Sequence, residues 1–243
     1  MTLLIRIGKI FARTIFFSRL AMSDRVTKLG IVIFPGFAVL DVAGPLQFFN
    51  QLSLTHPMQL SIISKTLEPV STVPPDHLMI DKPLQQIGST WMPTHTFDHV
   101  PDLDILIIPG GFGNRDETIF NEISTFINKV YPKLDYLLSI CTGSVMIAAT
   151  GILDGRRATS NKFAWSFATR YSAVQWVSKA RWVVDGNIWS SSGVAAGMDM
   201  TYAFIAYKFS PDVAKRIADI IEYEPHTDPD WDPFSDRWNV TSN

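Results

Sequence analysis

The only cysteine of the chain, Cys141, is the residue best placed for covalent chemistry. Residues 136–140 form an apolar run that predicts a buried strand, and residues 145–150 predict a helix. A residue between them lies on a sharp turn that directs its side chain out of the sheet, and Gly143 leaves room for the following backbone. The N–H groups of the helix are expected to lower the pKa of Cys141 and to keep it exposed at a crevice. The alternative is an inert, buried cysteine.

A pair of glycines, Gly110 and Gly111, follows a second apolar run at 104–108. After a buried parallel strand, paired glycines allow backbone N–H groups to face the crevice where open α/β sheets bind ligands. Such donors stabilise negative charge that develops during a reaction. The alternative is an ordinary tight turn.

Asp41 lies between Leu40 and Val42, in apolar surroundings that suit a solvated surface carboxylate poorly. Burial among apolar side chains would disfavour the ionised form, raise the pKa of Asp41 and leave it partly protonated. The alternative is a helix cap, because an Asp shortly before Gly44 and Pro45 suits that position. Spacing alone does not separate the two interpretations.

Apolar runs that predict strands alternate along the chain with runs that predict helices. The predicted strands are 29–34, 58–64, 104–108, 136–140, 176–184 and 187–191, and the predicted helices are 41–52, 117–131, 145–150, 163–171, 197–209 and 212–222. Residues 66–101 predict loops and short antiparallel pieces, and the pair Asp185 and Gly186 predicts a hairpin turn. This alternation is typical of an α/β fold with a mostly parallel sheet sandwiched by helices.

Composition limits the classes of function. The chain has 243 residues, of which 47% are hydrophobic and 18% charged, and its net charge is -2. This suits one folded domain and gives no basic patch for nucleic acid. No apolar run approaches the ~20 residues that a membrane span needs, and one cysteine forms neither an internal disulfide nor a zinc site of the CxxC kind. We therefore expect a small-molecule partner, no nucleic-acid or membrane partner, no metal and a reducing, cytoplasmic location.

The two ends of the chain differ from its centre. Residues 1–27 predict an N-terminal extension, 28–225 one domain, and 226–243 an irregular, acidic, proline-rich tail. Within the extension, residues 1–22 alternate basic with apolar residues and contain no acid, which is typical of a mitochondrial presequence. A disordered extension and a translation start at Met22 are the alternatives. The presequence interpretation would change the expected location from cytoplasmic to mitochondrial.

Seven short segments together resemble the DJ-1/PfpI (class I glutamine amidotransferase-like) superfamily, and most closely its isonitrile (isocyanide) hydratases. The segments are FPG (34–36), LDVAGP (40–45), DILIIPGG (104–111), CTGS (141–144), LDGRRAT (153–159), DGN (185–187) and SGVAAGMD (192–199). Their order and spacing carry the resemblance, which covers about 29–225. The resemblance implies a flavodoxin-like sheet of the DJ-1/PfpI type, a homodimer and no cofactor.

The resemblance also implies roles for individual residues. Cys141 would be the nucleophile, and Asp41 the proton donor beside the thiol. Gly111 would supply an N–H of the oxyanion type. The implied substrate-binding residues are Thr142, Gly110, Gly111, Gly193 and Val194. The implied reaction adds water to an isocyanide and gives an N-substituted formamide through a cysteine thioimidate.

One segment departs from the hydratase pattern. Hydratases and the related regulators usually have Thr-Thr-His-Trp where this chain has Thr159, Ser160, Asn161 and Lys162. Without that histidine, a Cys–His pair of the hydrolase type is not expected, which counts against a protease or an amidase.

Two other functions are compatible with the same resemblance. Asp41 matches the ligand-sensing domains of AraC-like regulators as well as hydratases, so a non-catalytic small-molecule or redox sensor is one alternative. Those regulators continue into a helix-turn-helix region, for which this chain is too short, and we therefore expect an enzyme. A glyoxalase- or deglycase-like activity is the other alternative, disfavoured by the missing histidine and by Asp in place of the usual Glu.

Overall fold

The central sheet has seven strands within the part of the chain that the computed structural model describes, residues 25–78 and 87–242. The strands of the described residues are β1 (Thr27–Val32), β2 (Met58–Ser64), β3 (Val70–Ser71), β4 (Thr90–Trp91), β5 (His95–Thr96), β6 (Ile105–Ile108), β7 (Tyr136–Ser139), β8 (Arg157–Ala158), β9 (Gln175–Trp176), β10 (Trp182–Asp185) and β11 (Ile188–Ser191). Four of these strands, β3, β4, β8 and β9, form two separate pairs outside the central sheet. The sheet order is β10-β11-β7-β6-β1-β2-β5. The proposed presequence, 1–22, lies outside the described residues.

Neighbouring strands of this sheet are parallel except at one edge. Only β10 runs antiparallel, against β11, and the two are joined through Gly186 in a left-handed conformation with φ 60°. All residues of β6 are buried, and so are Leu137 and Leu138 in β7. Strands buried on both faces read as continuous apolar runs. The predicted α/β fold with a mostly parallel sheet is therefore confirmed.

Helices flank this sheet in two groups. The helices are α1 (Val39–Ser53), α2 (Glu117–Val130), α3 (Gly143–Ala148), α4 (Trp165–Thr169), α5 (Val194–Lys208), α6 (Pro211–Ile220) and α7 (Pro233–Arg237). The first group is α1, α5 and α6, which pack against one another, and the second is α2, α3 and α4. No helix among the residues described combines the length and the apolar character that crossing a membrane requires.

Two local predictions are wrong. The strand predicted at 176–184 is divided, because the backbone N–H groups of Val177 and Arg181 bond to Ala158 and Pro229 instead of to one continuous neighbour. The helix predicted from residue 41 begins at Val39, so Pro45 lies in its second turn. There the proline removes the N–H that would bond to the carbonyl of the residue four positions earlier.

The C-terminal tail is more ordered than predicted. Residues 226–243 were expected to be irregular, but they contain α7. The Trp165 indole donates to the carbonyl of Thr241 at 3.0 Å, and the N–H of Ser178 donates to the hydroxyl of Ser242 at 3.0 Å. Asp232, at the start of α7, is 6% exposed. The tail therefore packs on the domain through buried polar contacts.

Candidate active site

The sheet order brings the predicted site segments to one edge. Ile108 of β6 and Ser190 of β11 both lie beside Ser139 of β7 in parallel register. The segments that follow these three strands therefore leave the sheet side by side, at the carboxyl ends where parallel sheets bind ligands. They carry the glycine pair, the cysteine and Gly193.

Cys141 occupies the sharp turn predicted for it. Its φ is +57°, a left-handed conformation that is uncommon for a residue other than glycine. The turn fits only because its neighbours are glycines: a Cβ on Gly143 would lie 2.1 Å from the carbonyl oxygen of Ile108, and one on Gly110 would lie 2.9 Å from the Cβ of Cys141. Strained backbone of this kind is concentrated at functional sites.

Hydrogen bonds hold the backbone of Cys141 on both sides. Its N–H donates to the carbonyl of Ser192 at 2.9 Å. Its own carbonyl accepts from the hydroxyls of Ser144 and Ser160, each at 3.1 Å. The turn is thus attached both to the segment after β11 and to the one after β8.

The environment of the thiol differs from the prediction. Cys141 is 8% exposed rather than open to a crevice. Burial and, to a smaller extent, the charge of Asp41 raise its pKa to about 12, although the N–H of Thr142 and the side chains of Asn161 and Thr142 act in the opposite direction. The predicted fall in the pKa of Cys141 is therefore wrong. The free N–H groups of α3, a helix of only six residues, are outweighed by loss of solvent.

Asp41 is completely buried in the first turn of α1 and does not cap the helix. The N-cap is Ala38, so the capping interpretation is wrong. The Asp41 Oδ2 accepts from the N–H of Gly110 at 2.8 Å, whereas Oδ1 has no hydrogen-bond partner among the described residues. Burial raises the pKa of Asp41 to about 7, although the hydrogen bond from the Gly110 N–H acts in the opposite direction. A carboxyl group with this pKa is partly protonated at neutral pH, as the apolar flanks predicted.

The Gly111 N–H is already engaged. It donates to the Thr142 hydroxyl at 3.3 Å, and the same hydroxyl accepts from the Asn114 amide at 2.9 Å. Gly111 has φ 139°, and a Cβ there would lie 2.4 Å from the carbonyl oxygen of Gly36. An oxyanion role for Gly111 stays a prediction, since an oxyanion would have to replace the Thr142 hydroxyl as the acceptor.

Gly193 and Val194 lie at the start of α5. Gly193 is its N-cap, and a Cβ on Gly193 would lie 3.2 Å from the amide nitrogen of Asn161. Because the Asn161 side chain acts on the pKa of Cys141, this places Gly193 at the site. Val194 is the first residue of α5 and is partly exposed. Substrate contact by either residue stays a prediction.

Comparison with known proteins agrees with this geometry. The model of the DJ-1/PfpI family matches residues 27–207. The chain belongs to the DJ-1/PfpI family. A THiJ/PfpI family protein from Pseudomonas syringae has a similar solved structure, with a TM-score of 0.65 and 27% identity over 83% of this chain and 77% of that one.

Curated relatives within this family include an enzyme and a regulator. The isonitrile hydratase of Pseudomonas putida is 28% identical over 199 residues, 82% of this chain and 79% of that protein. An HTH-type transcriptional regulator of Pseudomonas aeruginosa, GbdR, is 28% identical over 130 residues, 52% of this chain and 34% of that protein. The family thus combines enzymes and regulators.

Lys162 is part of the site's surroundings in this DJ-1/PfpI protein, although no sequence pattern selects it. Its ammonium group is fully buried and lies 3.2 Å from the Asp232 carboxylate. The ammonium also donates to the Ser160 carbonyl and to the Ser192 hydroxyl. The Ser160 hydroxyl donates to the carbonyl of Cys141, and the Ser192 carbonyl accepts from the N–H of Cys141. Burial lowers the pKa of Lys162 to about 8. Its ion-pair partner comes from the tail, so no local pattern marks this lysine.

Beyond Lys162 lies an aromatic cavity of about 320 Å³. Phe163, Trp165 and Trp238 line it, but Cys141 does not. Within the described part of the chain, no three His, Cys, Asp or Glu side chains group together as metal ligands. Cys141 and Asp41 stay the predicted catalytic residues at this edge of the sheet.

Proposed function

We propose that this chain is a lyase similar to isonitrile hydratase, which adds water to an isocyanide and releases an N-substituted formamide. One observation carries the proposal: the buried thiol of Cys141 lies within the electrostatic influence of a buried carboxyl group, Asp41, whose pKa is about 7. A group with this pKa both accepts and donates a proton near neutral pH. Similarity to the Pseudomonas putida hydratase over 82% of the chain supports the same reaction.

In the first half of the reaction, sulfur bonds to the terminal isocyanide carbon. The thiol proton passes to the Asp41 carboxylate, and Asp41 delivers a proton to that carbon, so sulfur and hydrogen have both added to it and a thioimidate results. The Oδ1 of Asp41, which has no hydrogen-bond partner among the described residues, is available for this transfer. Because the proton leaves sulfur as the new bond forms, the mechanism does not require a resting thiolate.

In the second half, water adds to the thioimidate carbon. One proton of the water goes to the nitrogen, and the hydroxyl oxygen stays on the carbon. The bond between carbon and sulfur then breaks, the hydroxyl proton returns to sulfur through Asp41, and the formamide leaves. The sum is one isocyanide and one water converted into one formamide, with the Cys141 thiol and the Asp41 carboxyl group regenerated.

Asn161 occupies the place of the usual histidine and favours this reaction over amide hydrolysis. Its side chain stabilises the ionised form of Cys141, and its Oδ1 accepts from the N–H of Ala164 at 3.1 Å. A carboxamide has no basic nitrogen. It can therefore orient the thiol but cannot protonate the amine that a protease or an amidase must release.

A non-catalytic sensor is the second candidate. The observation that favours it is the thiol itself, since Cys141 is 8% exposed and has a pKa of about 12, as expected for an unreactive cysteine. The similarity to GbdR of Pseudomonas aeruginosa supports this candidate over 52% of the chain. A sensor would bind its ligand at the same edge of the sheet and release it unchanged.

The deciding experiment mixes the purified full chain with an alkyl isocyanide and follows the formamide proton by NMR. We expect turnover in the wild type and none in Cys141→Ala, with an unchanged circular dichroism spectrum. Cys141→Ser is expected to be nearly inactive, because a hydroxyl is far less acidic than a thiol. Formamide production by Cys141→Ala would refute the covalent route, and saturable binding without turnover in the wild type would support the sensor.

The homodimer and the cytoplasmic location stay predictions. Light scattering of the purified chain would measure the first, and fluorescent fusions of the full chain and of a variant lacking 1–22 would measure the second. A mitochondrial signal that is lost with residues 1–22 would favour the presequence interpretation.

A further inference from the structure

Two arginines contact the same aromatic ring beside the site. The guanidinium carbon of Arg115 lies 3.8 Å from the centre of the Phe167 ring, and that of Arg170 lies 4.2 Å from it. Arg115 belongs to the turn after the glycine pair, and Arg170 follows α4. The two like charges repel each other, and solvent compensates the exposed Arg170 better than the partly buried Arg115, so Arg115 needs a further compensating interaction.

No carboxylate of the described residues supplies that compensation. The ion pairs of this part of the chain involve other cations, and neither Arg115 nor Arg170 takes part in one. The Arg115 guanidinium donates to the side-chain oxygen of Asn114, and that of Arg170 donates to the Tyr171 hydroxyl at 3.3 Å. Both acceptors are neutral. A partly buried cation without an anionic partner is costly.

Arg115 is connected to the reacting sulfur. The Asn114 side chain that accepts from Arg115 donates in turn to the Thr142 hydroxyl at 2.9 Å, next to Cys141. Burial lowers the pKa of Arg115, Cys141 raises it, and Arg170 lowers it again. The guanidinium therefore lies within electrostatic range of the thiol, in a place where a negative group would stabilise it.

Building on the proposed function, we infer that Arg115, assisted by Arg170, binds a carboxylate on the substrate, so that the natural substrate class is isocyanides whose substituent carries a carboxylate. The planar guanidinium presents a fork of N–H donors that matches a carboxylate. The Phe167 ring, whose centre lies 3.8 Å from the guanidinium carbon, holds the Arg115 guanidinium beside the site. A carboxylate bound by Arg115 would also weaken the repulsion between the two guanidinium groups.

The first test uses thiol alkylation and does not need a substrate. Cys141 is the only cysteine, so all alkylation of a thiol, identified by peptide mass spectrometry, reports on this site. We expect iodoacetate to be favoured over iodoacetamide at Cys141, when the ratio of the two rates is divided by the ratio for glutathione. Arg115→Gln should lower that normalised ratio about tenfold, and Arg170→Gln should lower it less. Since both reagents attack the same thiolate, a change in the pKa of Cys141 cancels in the ratio.

A matched control is Arg237, an exposed guanidinium that lies 4.8 Å from the centre of the Phe234 ring on α7. Arg237→Gln removes the same charge from a stacked arginine away from Cys141 and should leave the ratio unchanged. An unchanged ratio in Arg115→Gln would refute the inference, and so would a wild-type ratio no greater than that of glutathione.

The second test compares isocyanoacetate with its neutral methyl ester as substrates. We expect a lower KM for the anion than for the ester in the wild type, and the ratio of the two KM values should approach one in Arg115→Gln. Hydration of both compounds without a preference would refute the carboxylate site and leave the proposed function intact. Hydration of neither, with the alkylation preference still present, would refute the proposed function and leave the anion site intact.

Discussion

Two buried aspartates on neighbouring helices, Asp41 of α1 and Asp199 of α5, have the same exposure and opposite surroundings. Both are 0% exposed, and their helices approach so closely that a Cβ on Gly44 of α1 would lie 2.7 Å from the side chain of Met198 in α5. The loss of solvent is the same for the two carboxyl groups. What differs is the set of donors that each one meets.

Both carboxylate oxygens of Asp199 accept hydrogen bonds. Its Oδ2 accepts from the Arg181 guanidinium at 2.6 Å, and its Oδ1 accepts from the Tyr223 hydroxyl at 2.5 Å and the His226 N–H at 2.9 Å. Asp41 has one backbone N–H on Oδ2 and nothing from the described residues on Oδ1. A buried carboxylate whose oxygens both accept hydrogen bonds stabilises the fold as part of an ion pair. A buried carboxyl group with one oxygen that lacks a donor can instead gain and lose a proton.

The largest expected effect is the loss of turnover in Asp41→Asn. Asn keeps the shape and can accept from the Gly110 N–H, but it cannot carry the proton between sulfur and carbon. The rate of formamide production should fall by ~10²–10⁴-fold, while the free energy of unfolding at pH 8 stays equal or rises. Steady-state kinetics and urea unfolding measure the two. Turnover close to that of the wild type would reduce Asp41 to a structural residue.

Asp199→Asn should have the reverse profile. It leaves the Arg181 guanidinium, only 6% exposed at its side chain, without a negative partner. Breaking a buried pair in this way costs about 3–5 kcal/mol of folding free energy. Turnover per folded molecule should change little, measured below the melting temperature of the variant. A drop in turnover like that of Asp41→Asn would mean that the two aspartates are not functionally distinct.

The dependence of the unfolding free energy on pH should reveal the raised pKa of Asp41. Burial raises the folded-state pKa of Asp41 from 3.8 to about 7, so between these values the native protein holds a proton that the unfolded chain has released. Its stabilising effect is complete below about pH 4 and is lost as the pH rises towards 7, by roughly 1 kcal/mol per pH unit. Urea unfolding from pH 5 to 8 should therefore show Asp41→Asn gaining stability relative to the wild type, and a constant difference would contradict the raised pKa.

The smallest effect is expected for Tyr223→Phe. This change removes one of three donors to Asp199 and leaves the Arg181 ion pair and the His226 N–H in place. The unfolding free energy should fall by about 0.5–1.5 kcal/mol, with formamide production unaffected. A loss as large as that of Asp199→Asn would show that Tyr223, rather than the arginine, supplies most of the compensation.

The sequence by itself determined the frame of the site. Apolar runs predicted the parallel strands, and the position of Cys141 between a strand and a helix predicted its turn, because Gly110 and Gly143 are the residues that allow so close a backbone approach. The apolar flanks of Asp41 predicted burial and a raised pKa. These features are local, since backbone conformation and burial follow from neighbouring residues and from the period of the pattern.

Only the tertiary structure decided the electrostatics around that frame. The sign of the shift in the pKa of Cys141 depends on burial and on Asp41, which outweigh the short helix α3. The pairing of Lys162 with Asp232 and the stacking of Arg115 on Phe167 join residues far apart in the chain. Loss of solvent and charge interaction sum over everything that surrounds a group in space, so no local pattern predicts their balance.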